Sequence, residues 1–175
     1  ASLPGMKERT VYVSGFSKAF AMTGWRTGFV CAPPQIDEAM FKIHQYGIMC
    51  APIMSQYAAI EALKDGFTDN FATVAEMRDS YDKRRKFVLH SLREIGLSCF
   101  EPQGAFYAFP SVLETGLDGE HFAGGLLKQE KVAVVPGNAF GNFGENNVRI
   151  SYATSMNALS EAFDRMSKFL EKIKY

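Results

Sequence analysis

Between Asn70 and Ile95 the apolar residues Phe71, Val74, Met77, Tyr81, Val88, Leu92 and Ile95 recur at intervals of three or four, with one gap of seven. The polar stretch RDSYDKRRK fills much of the opposite face, so the pattern predicts one long amphipathic helix ending at Gly96. A second stripe, Met156, Leu159, Phe163, Met166, Leu170 and Ile173, predicts a last helix. PPQIDEAMFKIHQYG (33–47) opens on a proline suited to a first helical turn, has acids near its start and stops at a glycine. IMSQYAAIEALKDG (53–66) and GEHFAGGLLKQE (119–130) read as two further helices, the first stopped at Gly66.

Short β-branched or aromatic runs bounded by glycine and proline predict strands at TVYV (10–13) and TGFVCA (27–32), and again at LSCF, AFYAF, VAVV and VRISYA. PGNAFGNFGENN (136–147) reads as a mobile, tightly turning connection. Residues from Gly96 onward hold enough strands and helices to close as a small α+β domain with its own core. The two early strands do not: they have too few partners to cover their edges and faces, and are expected to belong to a larger sheet.

Nineteen basic and nineteen acidic side chains cancel, so no net field favours nucleic acid or an anionic membrane. The basic run at 83–86 lies at helical spacing and reads as a solvated face. Small ligands and protein partners remain. Cys31, Cys50 and Cys99 are odd in number, widely spaced and in apolar contexts, which predicts reduced core thiols, no zinc site and a cytoplasmic location. No apolar run reaches bilayer length, and ASLPGMKERT lacks the features of a signal peptide. The missing initiator methionine suggests a fragment.

The segment VSGFSKAFAMTGWRTGF (13–29) sets Lys18 and Arg26 among Phe16, Phe20, Met22, Trp25 and Phe29. A cation there must reach water or meet an anion. A phosphate-cradling loop is excluded, because its Gly-Lys-Ser/Thr ending is absent. A lysine just past a strand end, in apolar surroundings, suits amine chemistry: desolvation favours the neutral amine, which attacks carbonyls.

SGFSKAFAMTGWRTGF resembles the lysine segment of the class I/II aminotransferases, pyridoxal-phosphate enzymes of fold type I, and is most similar to the aspartate/aromatic branch. The resemblance continues through HQYGIMCAPIMSQYAAIEAL, EPQGAFYAFP, VAVVPGNAFG and VRISYA. It implies that Lys18 carries the aldimine with pyridoxal 5'-phosphate and that Arg26 binds the cofactor phosphate through its planar donor fork. Ser17 either donates to that phosphate or caps the turn. Gly15 stands where many members have serine, and Thr27 where an apolar residue is usual.

By the same resemblance Arg149 grips the substrate α-carboxylate, although alone it reads as an outward-facing strand arginine. Phe106 falls on the aromatic wall of the substrate pocket or, equally, in the core. His44 reads as a packing or interface histidine. The implied fold is α/β and α+β: residues 1–69 form the C-terminal part of a large cofactor domain, 70–95 a long interdomain helix and 96–175 a complete small domain.

The implied activity is transamination between an amino acid and a 2-oxo acid by a homodimer. The acid for the pyridine nitrogen and other cofactor groups are expected upstream, which would leave this stretch inactive alone. Two rivals stand beside it: another fold type I activity, such as a C–S lyase or decarboxylase, and a non-catalytic binding or assembly domain.

Overall fold

The computed structural model describes residues 1–173 and divides into two compact units, Ala1–Glu76 and Met77–Tyr175. In the first, β1 (Tyr12–Gly15) and β2 (Gly28–Cys31) pair antiparallel, Tyr12 opposite Cys31 and Gly15 opposite Gly28. Helices α1 (Pro34–Gly47) and α2 (Ile53–Thr68) follow, and α3 (Ala72–Glu94) begins. A small core of Phe16, Met22 and Ala59 joins the β1–β2 connection to α2, with Phe20, Ala58, Ala62 and Leu63 packed around it.

This sheet has two strands, and Tyr12, Val13, Phe29 and Val30 on it are exposed. Cys31 and Cys50 are exposed as well, against the expectation of core thiols: Cys31 lies on a strand with no buried residue. Cys99 is half-buried, and desolvation pushes its thiol pKa up.

Helix α2 does not stop at Gly66. It runs on to Thr68, and Asn70 and Phe71 then adopt left-handed backbone, φ 54° and 55°. That reversal returns the Phe71 N–H to the Gly66 carbonyl at 2.7 Å and lays the Phe71 ring where a Gly66 side chain would stand. The glycine therefore serves packing rather than termination.

The second unit contains the rest of α3, β3 (Tyr107–Ala108), α4 (Gly119–Glu130), β4 (Val135–Pro136), β5 (Val148–Ser151) and α5 (Met156–Ile173). The strands form an antiparallel sheet ordered β3-β5-β4. Val88 and Leu92 of α3, Phe122 and Leu126 of α4, Val148 and Ile150 of β5, and Leu159, Phe163, Met166, Phe169 and Leu170 of α5 form one core. Each large side chain so buried contributes about 1.5–3 kcal/mol. Phe122 meets Phe169 edge-on at 5.4 Å.

Two predicted strands shrink. LSCF forms no strand, and Ser98 instead accepts a single backbone bond from Ser111. In VAVV only Val135 enters a ladder, while Val132 and Val134 pack on the core without strand partners.

PGNAFGNFGENN is not open chain. It forms 3-10 turns at Gly137–Phe140 and Asn142–Gly144, tied by Gly137 N–H to Asn147 O at 2.8 Å and Gly144 N–H to Gly141 O at 3.1 Å. Gly137 is required there. A Cβ would stand 2.7 Å from Asn147 O and 2.9 Å from the Phe109 ring, and would collide with Gly144 O.

Candidate active site

Lys18 lies in the turn that leaves β1, and Arg26 closes the same connection before β2. Phe16 and Met22 point inward and are nearly fully buried, while Lys18 and Arg26 are exposed and Ser17 is half-buried. Of the aromatic neighbours that suggested a desolvated lysine, Phe16 is buried, Phe20 is half-buried, and Trp25 and Phe29 are exposed.

The turn is closely stitched. Phe20 and Met22 donate backbone N–H bonds to the Phe16 carbonyl, Ala21 donates to Lys18 O, and Phe16 donates to Thr27 O. The Thr23 hydroxyl donates to Ser17 O at 2.9 Å, and Arg26 Nη1 to Thr23 O at 3.1 Å. From α2, the buried Ser55 hydroxyl donates to Trp25 O at 2.6 Å.

Ala21 and Arg26 both hold left-handed backbone, φ 53° and 52°. Each costs about 1–2 kcal/mol for a residue with a Cβ. Strain of this kind persists where surrounding structure over-determines it, and it gathers at functional turns. Amine, guanidinium and hydroxyl on one fixed turn make a donor set suited to an aldehyde and a phosphate.

In the second unit, Val148 and Ile150 are buried, so the alternation of β5 sends Arg149 to the opposite face. Arg149 is half-buried there, directly across from Val135 and diagonal to Tyr107, which pairs with Ser151. Its Cζ lies over the Tyr107 ring and over the Phe140 ring, 4.4 Å from each centroid. Phe106, on the adjoining backbone, stacks on Tyr81 at 5.7 Å and meets Tyr107 at 4.6 Å. It is half-buried and packs against the core.

A scan against family models matches residues 2–166 to "Aminotransferase class I and II". The chain belongs to the class I and II aminotransferases. It is 60% identical over 172 residues to Bacillus subtilis YugH, a match covering 98% of this chain and 44% of that protein. An aspartate aminotransferase of Pyrococcus abyssi is 53% identical over 174 residues, covering 99% of this chain and 44% of its own length.

Among solved structures, an aromatic aminotransferase from Pyrococcus horikoshii superposes with a TM-score of 0.92 at 52% identity, covering 99% of this chain and 46% of that one. The mixed α/β fold is that of these aminotransferases, and the chain spans less than half the length of the relatives it matches.

Supporting groups of this aminotransferase chain escaped the sequence. Ser55 read as one residue of a helix, and its bond to Trp25 joins positions 30 apart in sequence. Tyr107 and Phe140 read as strand and loop residues. Arg149 in VRISYA was the available signal for Tyr107, because an antiparallel neighbour strand would supply a diagonal partner, but strand register was not legible. Among the described residues no helix is long and apolar enough to cross a membrane, and no group of three or more His, Cys, Asp or Glu is placed to hold a metal.

Proposed function

We propose that a protein of the relatives' full length carrying this sequence catalyses transamination between an amino acid and a 2-oxo acid with pyridoxal 5'-phosphate. Residues 1–69 would then be part of the large cofactor domain, 70–95 the interdomain helix and 96–175 the small domain. The observation that carries the reading is the β1–β2 connection, where strained, multiply hydrogen-bonded backbone fixes Ser17, Lys18 and Arg26 on one turn.

Pyridoxal phosphate, when bound, supplies an aldehyde carbon and a ring that accepts electrons. Lys18 would hold the aldehyde through Nζ, give way to the incoming amino group, and take the proton from the substrate Cα. Arg26 would bind the phosphate as a two-pronged donor, with the Ser17 hydroxyl beside it or capping the turn. Arg149 would receive the substrate α-carboxylate and fix the direction of the Cα–H bond. Phe106 would contribute to the wall around the substrate side chain.

On the resemblance, the acid for the pyridine nitrogen and other cofactor groups would lie upstream of residue 1. We therefore expect this chain alone to be inactive, and the full-length protein to be a cytoplasmic homodimer acting in amino acid metabolism.

The test is amino transfer by the full-length protein from aspartate and from an aromatic amino acid to 2-oxoglutarate. Transfer that is lost in Lys18→Ala is expected. Release of ammonia and pyruvate, or of carbon dioxide, would instead mark a lyase or decarboxylase, and absence of any turnover would favour an assembly role. Arg149→Lys, which loses the bidentate fork, should cost about tenfold to a hundredfold in kcat/KM, from roughly 1.5–3 kcal/mol.

A further inference from the structure

We infer that Tyr107 and Phe140 are positioning residues for the substrate carboxylate, acting through the Arg149 guanidinium, an inference that rests on the assignment of Arg149 above. Of the other half-buried arginines in the unit, Arg85 pairs with Asp82 and Glu101 and Arg165 with Glu161, while Arg84 lies over the Tyr81 ring. Among the described residues no carboxylate pairs with Arg149, whose neighbours are two aromatic rings 4.4 Å from Cζ.

The difference is chemical. A guanidinium is planar, with all five N–H donors in its plane and two weakly hydrated faces. A carboxylate neighbour would consume donors and charge. Ring faces attract the cation through their quadrupoles and use no donor. Arg149 is thereby held in orientation while its fork stays available to a planar acceptor that brings the missing negative charge.

Both rings are themselves fixed. Phe140 ends the 3-10 turn Gly137–Phe140 and meets Phe109 edge-on at 6.2 Å, in the loop whose Gly137 has no room for a side chain. Tyr107 sits on β3 against Phe106, which stacks on Tyr81 of α3. A line of contacts from Phe109 through Phe140, Arg149, Tyr107 and Phe106 to Tyr81 thus runs from the glycine-rich loop to the long helix. Loop geometry becomes a determinant of carboxylate binding.

The experiment uses the full-length protein with pyridoxal phosphate bound, and reads the Kd of two unreactive carboxylates, maleate and 3-phenylpropanoate, with phenethylamine as a probe lacking the carboxylate. Phe140→Leu and Tyr107→Leu should each weaken whichever carboxylate the parent binds by about threefold to thirtyfold, the range of one cation–π contact, and leave phenethylamine unchanged. Phe140→Trp and Tyr107→Phe, which keep a ring, should bind near the parent level.

Leucine variants that bind the carboxylate as the parent does, while Arg149→Lys is weakened, would overturn the positioning role and leave the Arg149 assignment standing. Equal weakening of the carboxylates and phenethylamine would also overturn it, by revealing general damage to the site. Unchanged carboxylate binding in Arg149→Lys would instead remove the assignment on which the inference rests.

Discussion

Ser55 shows how much one hydroxyl can organise. It is buried and donates to the Trp25 carbonyl, next to the strained Arg26. Ser55→Ala leaves that carbonyl without its donor and should cost about 1–3 kcal/mol. Denaturant melts would measure the loss, and amide exchange should quicken across residues 17–27 before it does elsewhere. The glycines offer a contrast at the same scale. Gly137→Ala drives a Cβ into backbone and should destabilise by about 1–3 kcal/mol. At Gly47, the last residue of α1, a Cβ would meet nothing within 4 Å, and alanine should stabilise by about 0.4–1 kcal/mol. Thermal unfolding of the two variants should move in opposite directions.

Helix α4 begins on a charged cap. Asp118 accepts the His121 backbone N–H at 2.8 Å and lies 2.8 Å from the His121 ring Nδ1. That backbone bond first, and the ring bond second, hold the Asp118 carboxyl below its usual pKa, while the Asp118 bond raises His121 above the usual imidazole value. The carboxylate's contribution is present above its ordinary value near 4 and is lost as pH falls through its lowered one. The imidazolium's is complete below its ordinary value near 6.5 and is lost as pH rises through its raised one. The start of α4 should therefore be best protected at about pH 5–6. Asp118→Asn keeps a cap but removes the charge, so an NMR titration should return His121 toward the ordinary range. A His121 pKa unmoved by that substitution would contradict the assignment.

Elements of this kind were legible to different degrees. The run GEHFAGGLLKQE coincides with α4, Gly119–Glu130, whose start the Asp118 cap fixes. The α5 stripe buries Leu159, Phe163, Met166 and Leu170 as its spacing implies. Gly66 misled because a helix-stopping glycine and a glycine making room for a distant ring look alike until the Asn70–Phe71 reversal is known. LSCF and the first three residues of VAVV have strand composition but lack ladder partners, which composition does not encode. At the candidate site, Lys18 and Arg26 were singled out by the resemblance of their segment to the aminotransferases, whereas the rings against Arg149 depend on register and on a loop fold that no local pattern specifies.

For the whole molecule, the first unit leaves much apolar surface in water. Val13, Ile43, Tyr46, Met49, Met54 and Phe67 each expose 70% or more of their area. Surface of this extent marks contact with further protein. The 175-residue chain alone is therefore expected to self-associate, and sedimentation should show concentration-dependent species; a monodisperse monomer with β1 and β2 ordered would contradict this. In the proposed function Lys18 is the amine that would hold the cofactor. Borohydride reduction of the full-length protein with pyridoxal phosphate, followed by peptide mass mapping, tests it. One pyridoxyl group on the peptide bearing Lys18, absent from Lys18→Ala, is the predicted result. A group at another lysine, or colour and turnover that survive in Lys18→Ala, would contradict it.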